Sequence, residues 1–525
     1  MKPAHIVGLA LAALLCVGAG AHARQLRVGI ANDAASMDAM ANWESGTLSV
    51  VMNVYEPLLD YEPETGWRGI LAERWQVVEP TRWRFFLRRG VRFHDGSEFN
   101  ADDVVFSIER ALSGPSKAKP TVRGIRQAVK VDSHTVDILI EQPNPFVIGG
   151  MPSLPIMSKR WAEKNGAVLP ADYAKNEANF AVTNANGTGP FMLKSREASV
   201  RTVLVENPNW WNQASKQHNL TEVSLLPIRT DATRVAALLS GEVDFISPAP
   251  PQDIDRLGKS PGLRTAIGRE ARGVFLGFNQ HSEELPYSNL KGRNPFKDVR
   301  VRKAVYHAID NDTVTRVVMR GMADAANMII PPGVESYDKR FPRLPFNPDL
   351  AKKLLAEAGY ADGFEVTLDC STSRDIGDQE TCQALVGMLA RVGIRVKLNA
   401  QPGAKFLGKL LQRDTAFYRF SWGFNGWAGV NTLRDLLQCK PAGKHGYDAA
   451  GYCNPELDAL IAPLVTEIDP ARRKALYEKA WAIVERDVPY VPLHYPPVLF
   501  AMKNNVTALK LRVEGRVWLR DIQVQ

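Results

Sequence analysis

Apolar positions recur along this chain with two periods. Asn347-Pro348-Asp349 followed by Leu350, Leu354, Leu355 and Ala358 forms the stripe of an amphipathic helix, opened by a cap and a first-turn proline and closed by Gly359. Asp469-Pro470 opens another, with Leu476, Ala480, Ile483 and Val484 on one face and an end before Pro489. Asp102-Asp103 is expected to cap a third that carries Val105, Ile108 and Leu112 and stops at Gly114. Between such stretches, Trp83 to Leu87, Val200 to Val205 and Val274 to Phe278 read as strands, and Gln280 to Pro295 reads as a long polar loop. The alternation predicts mixed α/β or α+β domains, with no internal repeat.

The start of the chain sets the compartment. Lys2 and the apolar run Val7 to Val17, broken only by Gly8, precede Ala21-His22-Ala23, a small-x-small cleavage site. An export signal over 1–23 is expected, with the mature chain starting at Arg24 or Gln25. A run of about eleven residues is too short to span a bilayer, which takes about 20. Leu15 stands before Cys16 where a lipobox needs a small residue, so a free periplasmic protein is expected rather than a lipid-anchored one. The remaining chain, roughly 500 residues, exceeds what one core holds and predicts two or three domains.

Composition adds little except by exclusion. The 45% apolar and 23% charged residues are those of a globular protein. The net charge of +8 is spread among 57 acids, without the basic and aromatic run that nucleic acid would need, so no nucleic acid is expected as a partner. Beyond 1–23 the cysteines are Cys370, Cys382, Cys439 and Cys453, in two local pairs. An oxidising compartment favours two disulfides, each contributing about 3 kcal/mol through loop closure. A zinc site is the competitor, but no C-x-x-C is present; no metal and no cofactor is expected.

Catalytic signatures fail on inspection. Gly258-Lys259-Ser260 ends like a phosphate loop, but Asp253 stands where its first glycine belongs. Gly187-x-Gly189 lacks a third glycine, and neither G-x-S-x-G nor H-E-x-x-H occurs. His94-Asp95 looks like a base and its partner, yet adjacent residues rarely face each other and Asp95-Gly96 is a turn signal.

Several segments, in order, resemble the extracytoplasmic solute-binding proteins (family 5) that serve dipeptide, oligopeptide and nickel ABC importers. They are Tyr55-Glu56-Pro57-Leu58-Leu59, Leu71 to Trp75, Trp83 to Gly96 with Ala101 to Val104, and Gly187-Thr188-Gly189-Pro190-Phe191. Asn207-Pro208-Asn209-Trp210-Trp211, Gly241 to Asp244, Pro295 to Ala304 and Val491-Pro492-Leu493-His494 follow. The resemblance implies an α/β, two-lobed periplasmic-binding-protein fold of the cluster C type, with a hinge and an extra α+β domain. It implies lobe I from 24–57, 188–276 and 492–525, the extra domain from 58–187, and lobe II from 277–491. The His-Asp-Gly stretch then reads as a structural turn.

The resemblance also assigns a pocket. In the dipeptide and oligopeptide branches a carboxylate pairs with the ligand's amino terminus; its place here falls on Asn425, in Ser421-Trp422-Gly423-Phe424-Asn425-Gly426-Trp427. An amide cannot neutralise an ammonium, and a buried charge left unpaired costs about 3–5 kcal/mol. Either the ligand has no free amine there, or another acid such as Glu44 or Asp435 substitutes. Arg374 lies near the position that holds a ligand carboxylate, with a surface arginine as the alternative. Ser45, Gly46 and Thr47, after Trp43 and Glu44, match a segment that contacts ligand backbone. Asn279 sits at the expected hinge, to touch ligand or cap the crossover. Trp422, Phe424 and Trp427 are candidates for stacking, or for core.

The expectation is thus a monomeric periplasmic receptor, not an enzyme, that delivers a peptide-like or amino-acid-derived solute to an ABC permease in the inner membrane. An oligosaccharide or other uncharged ligand is the rival. A secreted hydrolase with distant carboxylates and a periplasmic chaperone or sensor are the alternatives of other classes.

Overall fold

The computed structural model describes residues 24–525 except 63–64, 173–174, 176, 373, 425–427, 441–445 and 514. The expected signal, 1–23, lies outside the described residues. β1 (Gln25–Ile30) and α1 (Ser45–Val51) come first. β2 (Ala72–Glu79), β3 (Arg82–Leu87), α2 (Ala101–Leu112), β4 (Ile125–Asp132) and β5 (Thr135–Ile140) follow. β6 (Phe191–Glu197), β7 (Arg201–Glu206), β8 (Glu222–Pro227), β9 (Phe245–Ser247) and β10 (Leu263–Arg269) lead to β11 (Arg272–Phe278). Beyond it lie β12 (Asp324–Ala325), α3 (Pro348–Glu357), β13 (Phe364–Ser371), α4 (Asp378–Ala390), β14 (Ile394–Gln401) and β15 (Phe417–Gly423). α5 (Pro470–Asp487), β16 (Tyr490–Tyr495) and β17 (Pro497–Lys503) come last.

Three sheets organise these elements. The first runs β10-β17-β9-β1-β8-β7-β6, the second β12-β16-β11-β15-β13-β14, and the third β2-β3-β5-β4. In the second, β13 lies parallel to both β14 and β15. Parallel neighbours need a crossover rather than a hairpin, and α4 supplies it, packing Leu385 and Leu389 onto Val366, Leu368 and Ile394. β11 is covered on both faces, which is why Gly273 to Phe278 reads as a nearly unbroken apolar run.

The helices expected at 348 and 470 form with the expected caps: the Asn347 side chain accepts from the Leu350 N–H and that of Asp469 from the Arg472 N–H. The third differs. Its cap is Asn100, which accepts from the Asp102 N–H, while Asp103 accepts from the Asn100 N–H in a reciprocal box. The buried face is accordingly Val104, Ile108 and Ala111, with Val105 and Leu112 only half-buried.

The chain passes between the first and second sheets twice, from β10 to β11 and from β16 to β17. The two passages touch: the Glu270 N–H donates to the Pro496 carbonyl at 3.0 Å. The expected boundaries at 276/277 and 491/492 therefore fall inside β11 and β16. Both strands belong whole to the second sheet, and the crossovers sit at 270–271 and 496.

Four of the segments that carried the family resemblance meet where the first and third sheets join. Glu56 is buried and accepts from the indoles of Trp210 (3.1 Å) and Trp211 (2.7 Å) and from the Thr188 hydroxyl (2.9 Å). His94 accepts from the Gly187 N–H through Nδ1 and donates from Nε2 to the Gly189 carbonyl. A Cβ on Gly187 would lie 2.0 Å from the Val54 carbonyl oxygen, so only glycine fits. His94 is thus a brace, and burial pushes its pKa down to about 4.

Candidate functional site

The chemistry of the second sheet is concentrated where β11 and β15 leave the crossover. Arg272 and Gly423 are paired across these strands. The Arg272 Nε donates to Glu270 at 2.9 Å and one Nη to the Ser421 hydroxyl at 3.2 Å. Two and four residues further along β11, Val274 faces Ser421 and Leu276 faces Arg419, so Arg272, Ser421 and Arg419 share one face of the sheet. The loop between β13 and α4 closes over that face. Arg419 pairs with Asp375 at 2.7 Å and with Asp378, the first residue of α4. Asp378 accepts in turn from the backbone N–H groups of Arg374 and Asp375.

Arg374 projects from this loop onto the opposite face, its guanidinium 4.7 Å from the ring centroid of Phe420. Trp422, on the same face, and Tyr447 complete an aromatic shelf, with centroids 5.0 Å apart. Two residues on, Ile376 packs against the core of the first sheet, alongside Leu238, Ile246 and Leu499. The Arg374 loop therefore lies at the junction of the two lobes.

The electrostatics follow from burial and mutual charge. Burial pushes the Arg374 pKa down, against the pull of Asp375 and Asp378 and with the push of Arg272 and Arg419. Burial works against ionisation of Asp375 too, but Arg419, Arg272 and Arg374 outweigh it and hold its carboxyl well below the usual range. Asp378 goes up, through burial and the charge of Asp375, against the pull of Arg419. His494, fully buried on β16, is pushed down to about 3 by burial and by Arg419.

Both disulfides are present and both close loops of this region. Cys370–Cys382 joins the end of β13 to α4 and encloses Arg374, Asp375 and Asp378. Cys439–Cys453 encloses Tyr447.

The expected site residues divide. Arg374 and Trp422 come together as described. Asn425 and Trp427 lie outside the described residues. Phe424 is core, with Ala428 and Val430, and its N–H holds the Ala271 carbonyl at the crossover. Thr47 is buried and accepts from the Ala35 N–H. Glu44 is exposed, with its N–H on the Asn42 side chain. Ser45 and Gly46 begin α1. Asp435 is already held by Arg123 at 3.0 Å and is no spare acid.

Asn279 is corrected. It is fully buried, donates to the Thr415 carbonyl and accepts from the Ser282 N–H. With the crossover at 270–271, Asn279 stands at the far end of β11, about 23 Å away at 3.3 Å per residue. Arg272, not Asn279, stands beside the crossover. Sequence reading also passed over Arg419, whose signal is a charge inside the apolar strand Phe417–Gly423, and Tyr447, whose signal is its place inside a cysteine pair.

Residues 67–444 match the model of bacterial extracellular solute-binding proteins, family 5 (middle region). The chain belongs to this family. The glutathione-binding protein GsiB of Escherichia coli K12 is 25% identical over 531 residues, covering 99% of this chain and 98% of that one. Two solved structures share the fold. One is the dipeptide-binding protein of Pseudoalteromonas sp. SM9913 in complex with Met-Leu, with a TM-score of 0.78 at 23% identity, covering 96% of this chain and 100% of that one. The other is the ABC transporter-associated periplasmic binding protein DppA of Helicobacter pylori in complex with the peptide STSA, with a TM-score of 0.77 at 23% identity, covering 95% and 98%. The two-lobed solute-binding fold is therefore the fold of this chain. No helix among the described residues is long and apolar enough to cross a membrane.

Proposed function

We propose that this family 5 protein is the periplasmic receptor of an ABC importer, that it works as a monomer without catalysis, and that it takes a short peptide or peptide-like amino-acid derivative. The observation that carries the reading is Arg374. Its guanidinium is half-buried on Phe420 at the lobe junction, and among the described residues no carboxylate forms a direct ion pair with it, although Asp375 and Asp378 act on its charge and Asp375 is shared with Arg419 and Arg272. A desolvated cation normally has an anion beside it, and a peptide's terminal carboxylate matches the guanidinium fork. The glutathione, Met-Leu and STSA named for the relatives are ligands of that chemistry.

In this reading Trp422 and Tyr447 flank the ligand with Trp427 as a further stacking candidate, Ser45 and Gly46 meet its backbone from the first lobe, and Asn425 stands at its amino end. The lobes are 24–57 with 188–270 and 496–525, and 271–495, with the extra domain at 58–187. Closure on the ligand buries it, and the closed form is what the permease receives.

Titration calorimetry of the mature protein with reduced glutathione, Met-Leu and Ser-Thr-Ser-Ala tests this. At least one should bind stoichiometrically, and Arg374→Ala should weaken it. Absence of binding by all three would refute the reading. The aromatic shelf favours a second reading, an uncharged oligosaccharide stacked on Trp422 and Tyr447; binding of maltotriose or chitotriose, unaffected by Arg374→Ala, would select it.

A further inference from the structure

We infer that Asp378 is a positioning residue for Arg374, held in place by Arg419, so that two side chains remote from the ligand set the site's preference for an anion. This rests on the assignment of Arg374 to a ligand carboxylate.

A side chain's aim is set first by its own backbone, and the Arg374 backbone hangs on two acceptors. Its N–H goes to the Ser371 hydroxyl at 3.1 Å and to the Asp378 carboxylate at 2.9 Å. The same oxygen of Asp378 takes the Asp375 N–H at 3.0 Å. The other oxygen is committed to Arg419, which also holds the Asp375 side chain, so one buried guanidinium anchors the loop at two points. The side chains of Arg419 and Asp378 are 1% and 2% exposed, so neither faces solvent. Cys370–Cys382 ties β13 to α4 behind the loop and limits how far Asp378 can move relative to Arg374.

An amide cannot replace this carboxylate. Asn at 378 has one acceptor oxygen, and whichever way it turns, its NH2 group faces either Arg419 or the two backbone N–H groups, donor against donor. The loop must then shift, and a bidentate contact tolerates little displacement. A purely structural role, the capping of α4, would weaken all ligands alike. A positioning role acts on the carboxylate alone.

The test uses glutathione, Met-Leu and Ser-Thr-Ser-Ala, each as the free acid and as the C-terminal amide, with the acid-to-amide affinity ratio read on the tightest binder. The wild-type ratio should exceed about ten. Asp378→Asn should lower it about tenfold while leaving the amide's affinity within twofold, and Asp378→Glu, charged but one methylene longer, should lower it a few-fold. Arg374→Ala separates the two claims. If it leaves the ratio unchanged, the assignment of Arg374 fails. If it collapses the ratio while Asp378→Asn does not, or if Asp378→Asn weakens acid and amide equally, this inference is overturned. Should Asp378→Asn not fold, an unchanged ratio in Asp378→Glu overturns it as well.

Discussion

Replacing Asp38 by alanine should cost about 5 kcal/mol, because its partner is left charged and dry. The Arg110 side chain is fully buried and forms a fork on Asp38 at 2.7 and 2.8 Å, joining α2 to the loop after β1. Its remaining partners are the carbonyls of Ala167 and Leu169, which carry no counter-charge. Breaking such a pair from one side costs about 3–5 kcal/mol. Asp38 also accepts from the N–H groups of Met40 and Ala171, and each buried donor left without an acceptor adds about 1–3 kcal/mol. Urea unfolding at pH 7, followed by far-UV circular dichroism, measures the loss. The double variant Asp38→Ala/Arg110→Met should cost at least 2 kcal/mol less than the sum of the two single variants, since it removes the orphaned charge. Acid gives an independent arm. Burial would raise the Asp38 pKa, but Arg110 outweighs it and holds the carboxyl below its ordinary value. The stabilisation is therefore complete above the ordinary carboxylate pKa and is lost as pH falls through the folded value. Strict additivity of the two variants, or a cost below about 1.5 kcal/mol for Asp38→Ala, would refute the reasoning.

Three further outcomes are expected. Gly187→Ala forces a Cβ to within 2.0 Å of the Val54 carbonyl and should lower stability by more than about 3 kcal/mol in the same urea assay, whereas an exposed Gly→Ala would not. Burial depresses the His94 pKa to about 4, so stability should fall by about 2–3 kcal/mol between pH 6.5 and 4; His94→Gln, which can keep both hydrogen bonds, should flatten that slope without loss at pH 7. Asn425→Asp should tighten binding of Met-Leu and leave its N-acetylated form unimproved, as measured by calorimetry; equal effects on both would show that no ammonium lies there.

Much of the scaffold was legible because its causes are local. Caps at Asn347 and Asp469 and the spacing of Leu350 to Ala358 need no distant partner to be read. The crossovers were not legible to within six residues, since Val274 to Phe278 looks the same whether it ends one lobe or begins the next. The difference places Arg272, rather than Asn279, beside the crossover. Arg419 shows in the sequence only as a charge interrupting an apolar strand. What gives it meaning, Asp375 and Asp378, lies more than forty residues away and arrives by folding.

Several of the motifs that made the family recognisable meet away from the Arg374 loop. Glu56, Thr188, Trp210 and Trp211 converge on one buried carboxylate, and His94 closes on Gly187 and Gly189, all at the seam between the first and third sheets. Such a seam admits few solutions: a glycine where a carbonyl presses at 2.0 Å, an indole where a buried acid needs a donor. The proposed ligand face is built differently, from an arginine on a disulfide-closed loop and aromatic residues on β15 and a second closed loop. In the proposed reading the architecture is marked by how the extra domain is braced against the first lobe, and the solute is read from the Arg374 loop.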